Sequence, residues 1–176
     1  MKTLLLVRHA SSGCDDMSLA DRFRPVDARG ERELAWLARC ARDHGGLLQL
    51  IVSSPAQRAM ATARVLAEAA GLRGDAVRAD DRLYEGGARR LLDLVAGFDD
   101  EYTHAAVVGH NPELADLGRH FATAITHLPS AGVAMLRFDA GSWRDAVRGR
   151  ATHAVLDAPL LPRTPVPPIT HPGISA

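Results

Sequence analysis

Two histidines of the 176-residue chain follow directly on apolar runs: residues 4–7 lead into Arg8-His9, and residues 104–108 lead into Gly109-His110. A histidine released from the end of a buried run beside a guanidinium is equipped to attack a phosphoryl group. Positive neighbours disfavour imidazolium, so the ring stays neutral and nucleophilic at pH 7, although free imidazole already titrates at ~6.5. The same guanidiniums offer paired donors to the oxygens of a phosphate dianion. His9 is therefore the candidate nucleophile, and Arg8 one of several cations expected to hold the group. Arg58, Glu85 and His110 are candidates for the remaining parts: Arg58 follows Ser53-Ser54-Pro55, Glu85 precedes Gly86-Gly87, and His110 stands between Gly109 and Asn111. His44, His104, His120, His127, His153 and His171 have no such setting and read as structural or exposed.

Each candidate needs an element to deliver it. Residues 4–7 read as a strand buried on both faces, the pattern of a parallel sheet. A polar loop over 11–21 leads to Arg22-Phe23-Arg24-Pro25, where Pro25 biases Arg24 toward extended backbone and limits where its side chain can point. Asp27 is the expected N-cap of a helix to about His44, with Leu34, Leu37, Ala38 and Ala41 on one face and Gly45-Gly46 as its stop. Residues 47–53 read as the second strand, and a strand-helix-strand unit favours a parallel pair.

Ser54 as N-cap and Pro55 at the first helical position predict a helix running to Gly71, with Arg58 in its first turn and Thr62 one turn on. Residues 75–79 read as a short third strand, residues 80–87 as a loop because of the paired glycines, and Leu91, Leu92 and Val95 as a short helix. The fourth strand covers 104–108, after which Asn111 is expected to cap and Pro112 to open a helix to about Ile125. Residues 131–138 read as a further strand, and 146–156 as holding one more at an edge. His9, Arg58, Glu85 and His110 thus all fall just after strands, where the crevice of an open α/β sheet lies, and two helix starts add partial positive charge there.

Composition bounds the rest. The length fits one domain, read as residues 1–160, with a proline-rich, extended tail over 161–176. A 47% hydrophobic and 24% charged composition is that of a folded globular chain. Zero formal charge offers no global field for nucleic acid or a membrane surface, so any cationic site must be local. No apolar run is long enough for a membrane span or a signal peptide, which makes the cytoplasm the expected compartment. Cys14 and Cys40 match no zinc or redox spacing and are expected to stay thiols. Lys2 is the single lysine, so an arginine counts as evidence only where its surroundings fix it.

Taken together, Leu6-Val7-Arg8-His9-Ala10, the Ser53-Ser54-Pro55 segment through Arg58 and Thr62, Leu83-Tyr84-Glu85, and Val108-Gly109-His110-Asn111-Pro112 resemble the four signature segments of the histidine phosphatase superfamily. The short length, Asp21-Arg22-Phe23-Arg24-Pro25 and Pro129-Ser130-Ala131-Gly132-Val133 are similar to its small bacterial phosphohistidine phosphatases. The resemblance covers residues 1 to about 160. It implies a three-layer α/β/α sandwich with a mostly parallel central sheet, the phosphoglycerate mutase-like fold. It also implies that His9 becomes phosphorylated and that Arg8, Arg58 and His110 hold the phosphoryl oxygens. Glu85 sits where larger members keep the proton donor, and Arg24 matches a phosphate-facing arginine of the small subgroup. Ser11 and Asn111 are expected to help bind substrate. Where relatives often have Lys-Ser after Arg-His-Ala this chain has Ser11-Ser12, and Asp15 replaces an asparagine of larger members, which changes the charge at the pocket mouth.

The implied activity is hydrolysis of phosphohistidine or a phosphomonoester through phospho-His9, with no metal and no cofactor, since arginines neutralise the charge and would repel a cation. Glu85 would protonate an alkoxide leaving group, whereas a leaving imidazole is less demanding. The expected partner is a phosphorylated protein or a small phosphoester, met by a monomer. The alternatives are a mutase on the same site, a non-catalytic phosphate-binding module, and a metal-dependent hydrolase built from His9, Glu85 and His110. Against the first, the chain has little room for a lid; against the second, all of His9, Arg8, Arg58 and His110 are present.

Overall fold

The apolar run at the start of the chain becomes the centre of the molecule. In the computed structural model, which describes residues 1–13, 18–44, 47–159 and 161–165, β1 (Lys2–Arg8) lies between a parallel and an antiparallel neighbour. The parallel one is β4 (His104–Gly109) and the antiparallel one β5 (Val133–Phe138). β2 (Leu50–Ser53) and β3 (Val77–Ala79) extend the parallel side; β6 (His153–Ala158) and β7 (Leu161–Pro165) extend the other, giving the order β3-β2-β4-β1-β5-β6-β7. Only β5 and β7 oppose the direction of β1, so the sheet is mostly parallel, as expected.

Alternation along β1 divides the core in two. Leu4 and Leu6 face a cluster with Leu91, Leu114, Phe121 and Trp143, brought by α4 (Ala88–Ala96), α5 (Glu113–Phe121) and α6 (Trp143–Arg148). Val7 faces the opposite cluster with Leu34, Leu37, Ala59 and Leu66, from α1 (Ala28–His44) and α2 (Gln57–Ala69). Helices on both faces of one sheet make the three-layer α/β/α sandwich. At the end of β1 remote from His9, Lys2 is 2% exposed; its ammonium donates to the carbonyls of Asp100 (2.6 Å) and Tyr102 (3.0 Å) and lies 5.4 Å from the Trp143 ring centroid.

What matters for a site is that neighbouring strands finish level. Arg8 pairs with Gly109 and Ser53 with Val108, and the ladder continues one step further, with His9 N–H donating to Gly109 (3.0 Å) and Ser54 N–H to Val108 (2.8 Å). The carboxyl ends of β1, β4 and β2 therefore open onto one rim.

Local expectations differ at several points. Asp27 does cap α1, its Oδ1 accepting from Gly30 N–H at 2.7 Å. Ser54 does not cap α2, which begins at Gln57; its hydroxyl accepts from Ala56 N–H and also bonds His110. Residues 82–85 form a one-turn helix, α3 (Arg82–Glu85), rather than loop, because Asp80 Oδ1 accepts from Arg82 N–H at 2.9 Å and starts the turn. Asn111 does not cap α5: its amide donates to Leu128 O, and the helix stops at Phe121, before the expected Ile125. α6 went unpredicted although Ser142 caps it at Asp145 N–H (3.0 Å), a Ser-x-x-Asp start legible in the sequence. β6 is not an edge, since β7, drawn from the proline-rich segment, pairs with it. Cys14, Asp15 and Gly45-Gly46 lie outside the described residues.

Candidate active site

His9 stands one residue beyond β1, and main-chain bonds fix it from both sides: its N–H donates to Gly109 O and its carbonyl accepts from Ala131 N–H (3.2 Å). The ring is set by the next residue, with Nδ1 2.7 Å from Ala10 O. A carbonyl can only accept, so Nδ1 carries the proton and Nε2 keeps the lone pair. Nε2 faces Arg58, whose Nε lies 3.4 Å away and donates to it. Burial pushes the His9 pKa down to about 4, and the charges of Arg58 and Arg8 act in the same direction against the Ala10 carbonyl and Asp21.

Arg58 is 7% exposed, in the first turn of α2. Its end is clamped by Asp21, Nη1 donating to the main-chain carbonyl (2.6 Å) and Nη2 to Oδ2 (2.7 Å). Its side edge faces the two histidines, Nε toward His9 and Nη2 toward His110 Nδ1 at 3.4 Å. An arginine only donates, so His110 accepts at Nδ1 and gives its Nε2 proton to the Ser54 hydroxyl at 2.8 Å. Burial pushes the His110 pKa down to about 3, helped by His9 and Arg58. The imidazole centroids are 4.8 Å apart. Thr62, one turn after Arg58, accepts from Ala10 N–H (3.0 Å) and donates to Arg58 O (2.8 Å), tying the loop after His9 to the helix that carries the arginine.

Arg8 and Asn111 share one anchor, the Leu128 carbonyl, at 3.2 and 2.9 Å. Burial lowers the Arg8 pKa, opposed by Glu33. Ser11 donates its N–H to Glu33 (2.8 Å) and its hydroxyl to Asp27 (2.9 Å). Arg24 ties the loop together through Ser12 O, Gly13 O and Asp21 Oδ1.

Two cavities of about 440 Å³ each meet at Arg8, His9 and Arg58. One continues along Asp21, Tyr84, His110, Asn111 and Glu113. The other continues along Ser11, Ser12, Arg24, Arg29, His127 and Ser130. The structure thus brings seven of the eight predicted residues to one place and leaves out Glu85, which is exposed and lines neither cavity. The reason is rotational: in one-turn α3, Leu83 enters the core and Tyr84 faces the site, so the next residue turns ~100° away. Tyr84 donates to Asp21 Oδ2 (3.1 Å) and sets its ring edge-on to His110, centroids 5.6 Å apart.

Asp21, Tyr84, Ser54, Glu113 and His127 were not among the predicted site residues. Asp21, three residues before Arg24, and Glu113, three after His110, had signals in their spacing. Nothing in the sequence marked His127.

Similarity to known proteins points the same way. A protein named as the phosphohistidine phosphatase SixA of Nakamurella multipartitia superposes with a TM-score of 0.76 at 25% identity, over 91% of this chain and 97% of that one. The protein histidine phosphatase SixA in complex with tungstate shares the fold, with a TM-score of 0.70 at 16% identity, over 82% of this chain and 90% of that one. An uncharacterized chloroplastic protein of Arabidopsis thaliana is 28% identical over 153 residues, 82% of this chain and 70% of that protein. Residues 4–96, which carry Arg8-His9 and Arg58, match the model of the histidine phosphatase superfamily (branch 1). That match spans more than half of the sequence: the chain belongs to the histidine phosphatase superfamily.

Proposed function

We propose that the chain hydrolyses phosphohistidine carried by a protein, taking the phosphoryl group onto His9 Nε2 and passing it to water. The observation that carries the reading is the state of the His9 ring. Its proton is held on Nδ1 by Ala10 O, its pKa is pushed down to about 4, and its lone pair opens onto a site framed by Arg8 and Arg58. In the first step the Nε2 lone pair attacks phosphorus, and the bond to the leaving imidazole nitrogen breaks with its electron pair. Phosphorylated at Nε2, the His9 ring is positive, and the Ala10 carbonyl on Nδ1–H stabilises that charge. Water then attacks phosphorus, the P–Nε2 pair returns to His9, and the water proton leaves with phosphate or to solvent.

Leaving-group chemistry favours phosphohistidine. Arg58, Tyr84 and Arg24 hold the Asp21 carboxyl below the usual carboxylate range, so it is an anion at neutral pH, and Glu85 lies outside the cavities. An imidazole leaves without the strong acid that an alkoxide needs. The likeness to a protein named as a phosphohistidine phosphatase supports the same substrate. The reading includes a monomer acting in the cytoplasm without metal or cofactor. A second reading, a small phosphomonoester, is favoured by Glu113, which lines the His110 side of the cavity and could protonate an alkoxide.

The test assays a phosphorylated histidine domain beside alkyl phosphates, in chelator. His9→Ala is expected to abolish turnover and covalent labelling, and persistent turnover would sink the nucleophile assignment. A wild-type preference for alkyl phosphates that Glu113→Gln removes would select the second reading, and loss of activity in chelator would bring back the metal-dependent alternative.

A further inference from the structure

The transferred phosphoryl group belongs where the two cavities meet, yet the cavity on the Ser11 side runs well past that point. Its volume, about 440 Å³, is in the range that accepts a whole ligand or an extended side chain. Beyond the shared Arg8, His9 and Arg58, its wall is made, among the described residues, by Arg24, Arg29, His127, Pro129 and three serines, with no carboxylate among them. The other cavity carries both Asp21 and Glu113. Among the described residues the site is therefore electrically lopsided about the nucleophile.

Among the described residues, Glu33 and Asp27, the two acids that hold Ser11, do not line the basic lobe and are already engaged. Glu33 is 5% exposed; Oε2 accepts from Ser11 N–H (2.8 Å) and from the Ser130 hydroxyl (2.6 Å), and Oε1 from Arg29 Nε (2.8 Å). Asp27 accepts from the Ser11 hydroxyl and from Gly30 N–H. The two arginines of the wall differ in what they have left to offer. Arg24 gives Nε to Gly13, Nη1 to Asp21 and Nη2 to Ser12 and Gly13, so it shapes the wall. Arg29 is held at Nε by Glu33, and its side chain is 59% exposed. Among the described residues its terminal nitrogens have no acceptor. A guanidinium fastened at one nitrogen with its outer fork open is set up for bidentate capture of an oxyanion.

We propose that this lobe binds a second anionic group of the substrate, a carboxylate or a further phosphate beside the one transferred, with Arg29 as the main donor and His127 and Ser12 at its sides. The proposal rests on His9 as the phosphoryl acceptor, since that fixes which end of the substrate points into the junction. The anion has two sources, an acidic side chain flanking a protein phosphohistidine or an acidic group on a small phosphoester.

Two matched pairs of substrates separate these outcomes. One pair is a phosphohistidine peptide with glutamate on both sides of the phosphohistidine, against the same peptide with glutamine. The other is an aryl phosphate bearing a ring carboxylate, against its amide. The full chain is expected to favour the acidic member of at least one pair about tenfold in kcat/KM, and the pair that responds names the source. Arg29→Ala is expected to bring that ratio to within about twofold. If Arg29→Ala does not fold, His127→Ala, which leaves the Glu33 contacts in place, takes its position in the comparison. No preference in either wild-type pair, or a preference that survives the substitution, overturns the proposal. Undiminished turnover by His9→Ala would instead overturn the nucleophile assignment, so the two failures are told apart.

Discussion

One carbonyl decides which nitrogen of His9 keeps its lone pair, and burial decides that it is unprotonated. Both histidines are held neutral, with pKa values down to about 4 for His9 and about 3 for His110, against ~6.5 in the unfolded chain. Below pH 6.5 the unfolded chain takes up protons that the folded chain refuses, so stability falls with pH down to about 4, by up to about 1.4 kcal/mol per pH unit for each histidine. Urea unfolding between pH 7 and 4 checks this: the slope should lessen in His9→Ala and in His110→Ala. Asp21 is the residue that keeps the side edge of Arg58 turned toward the histidines. Asp21→Ala should lower kcat/KM about tenfold, and Asp21→Asn, which keeps an acceptor at the same place, should recover part of it; equal losses in the two variants would refute this clamp. Glu85→Gln should leave kcat within about twofold on alkyl phosphates and phosphohistidine alike, because the side chain faces solvent.

At the scale of elements, the legible part of the site is what strand ends deliver. Arg8-His9, Arg58 and His110 were readable because an apolar run followed by a turn leaves few places for the next side chain. What escaped depends on rotation about a short helix or on contacts across the chain: Tyr84 in place of Glu85, Ser54 bonding His110 instead of capping, Asn111 donating to Leu128. No local propensity records such long-range partners. One hydroxyl bridges the chain after β1 and α2, since Thr62 serves both Ala10 and Arg58. Thr62→Val keeps the shape but strands a buried N–H, which should cost about 1–3 kcal/mol in urea unfolding and reduce kcat. The start of α1 is as closely tied to the loop after His9. A Cβ at Gly30 would fall on the Ser11 carbonyl and Val26 Cγ1, so Gly30→Ala should lower stability and activity together, read by thermal melting beside the assay.

The whole molecule follows from the binary pattern of its strands. Fully apolar runs demanded cover on both faces, and the three layers supply it; the antiparallel pairings that join β5, β6 and β7 beyond β1 were harder to foresee, because hairpin geometry and a proline-bearing last strand leave only weak local signals. Deleting residues 161–176 should keep kcat/KM within about twofold while baring the edge of β6, which light scattering would register as self-association. The burial of Lys2 under Trp143 has a practical meaning for chemical probing. The only lysine side chain is walled off at the far end of β1, while all twenty arginines, those of the site among them, remain as the cationic side chains. Reagents that acylate ammonium groups should find no lysine to modify, whereas dicarbonyls that condense with guanidinium should inactivate the enzyme, with inorganic phosphate as the shield. The chain thereby separates two reactivities that most proteins mix on one surface.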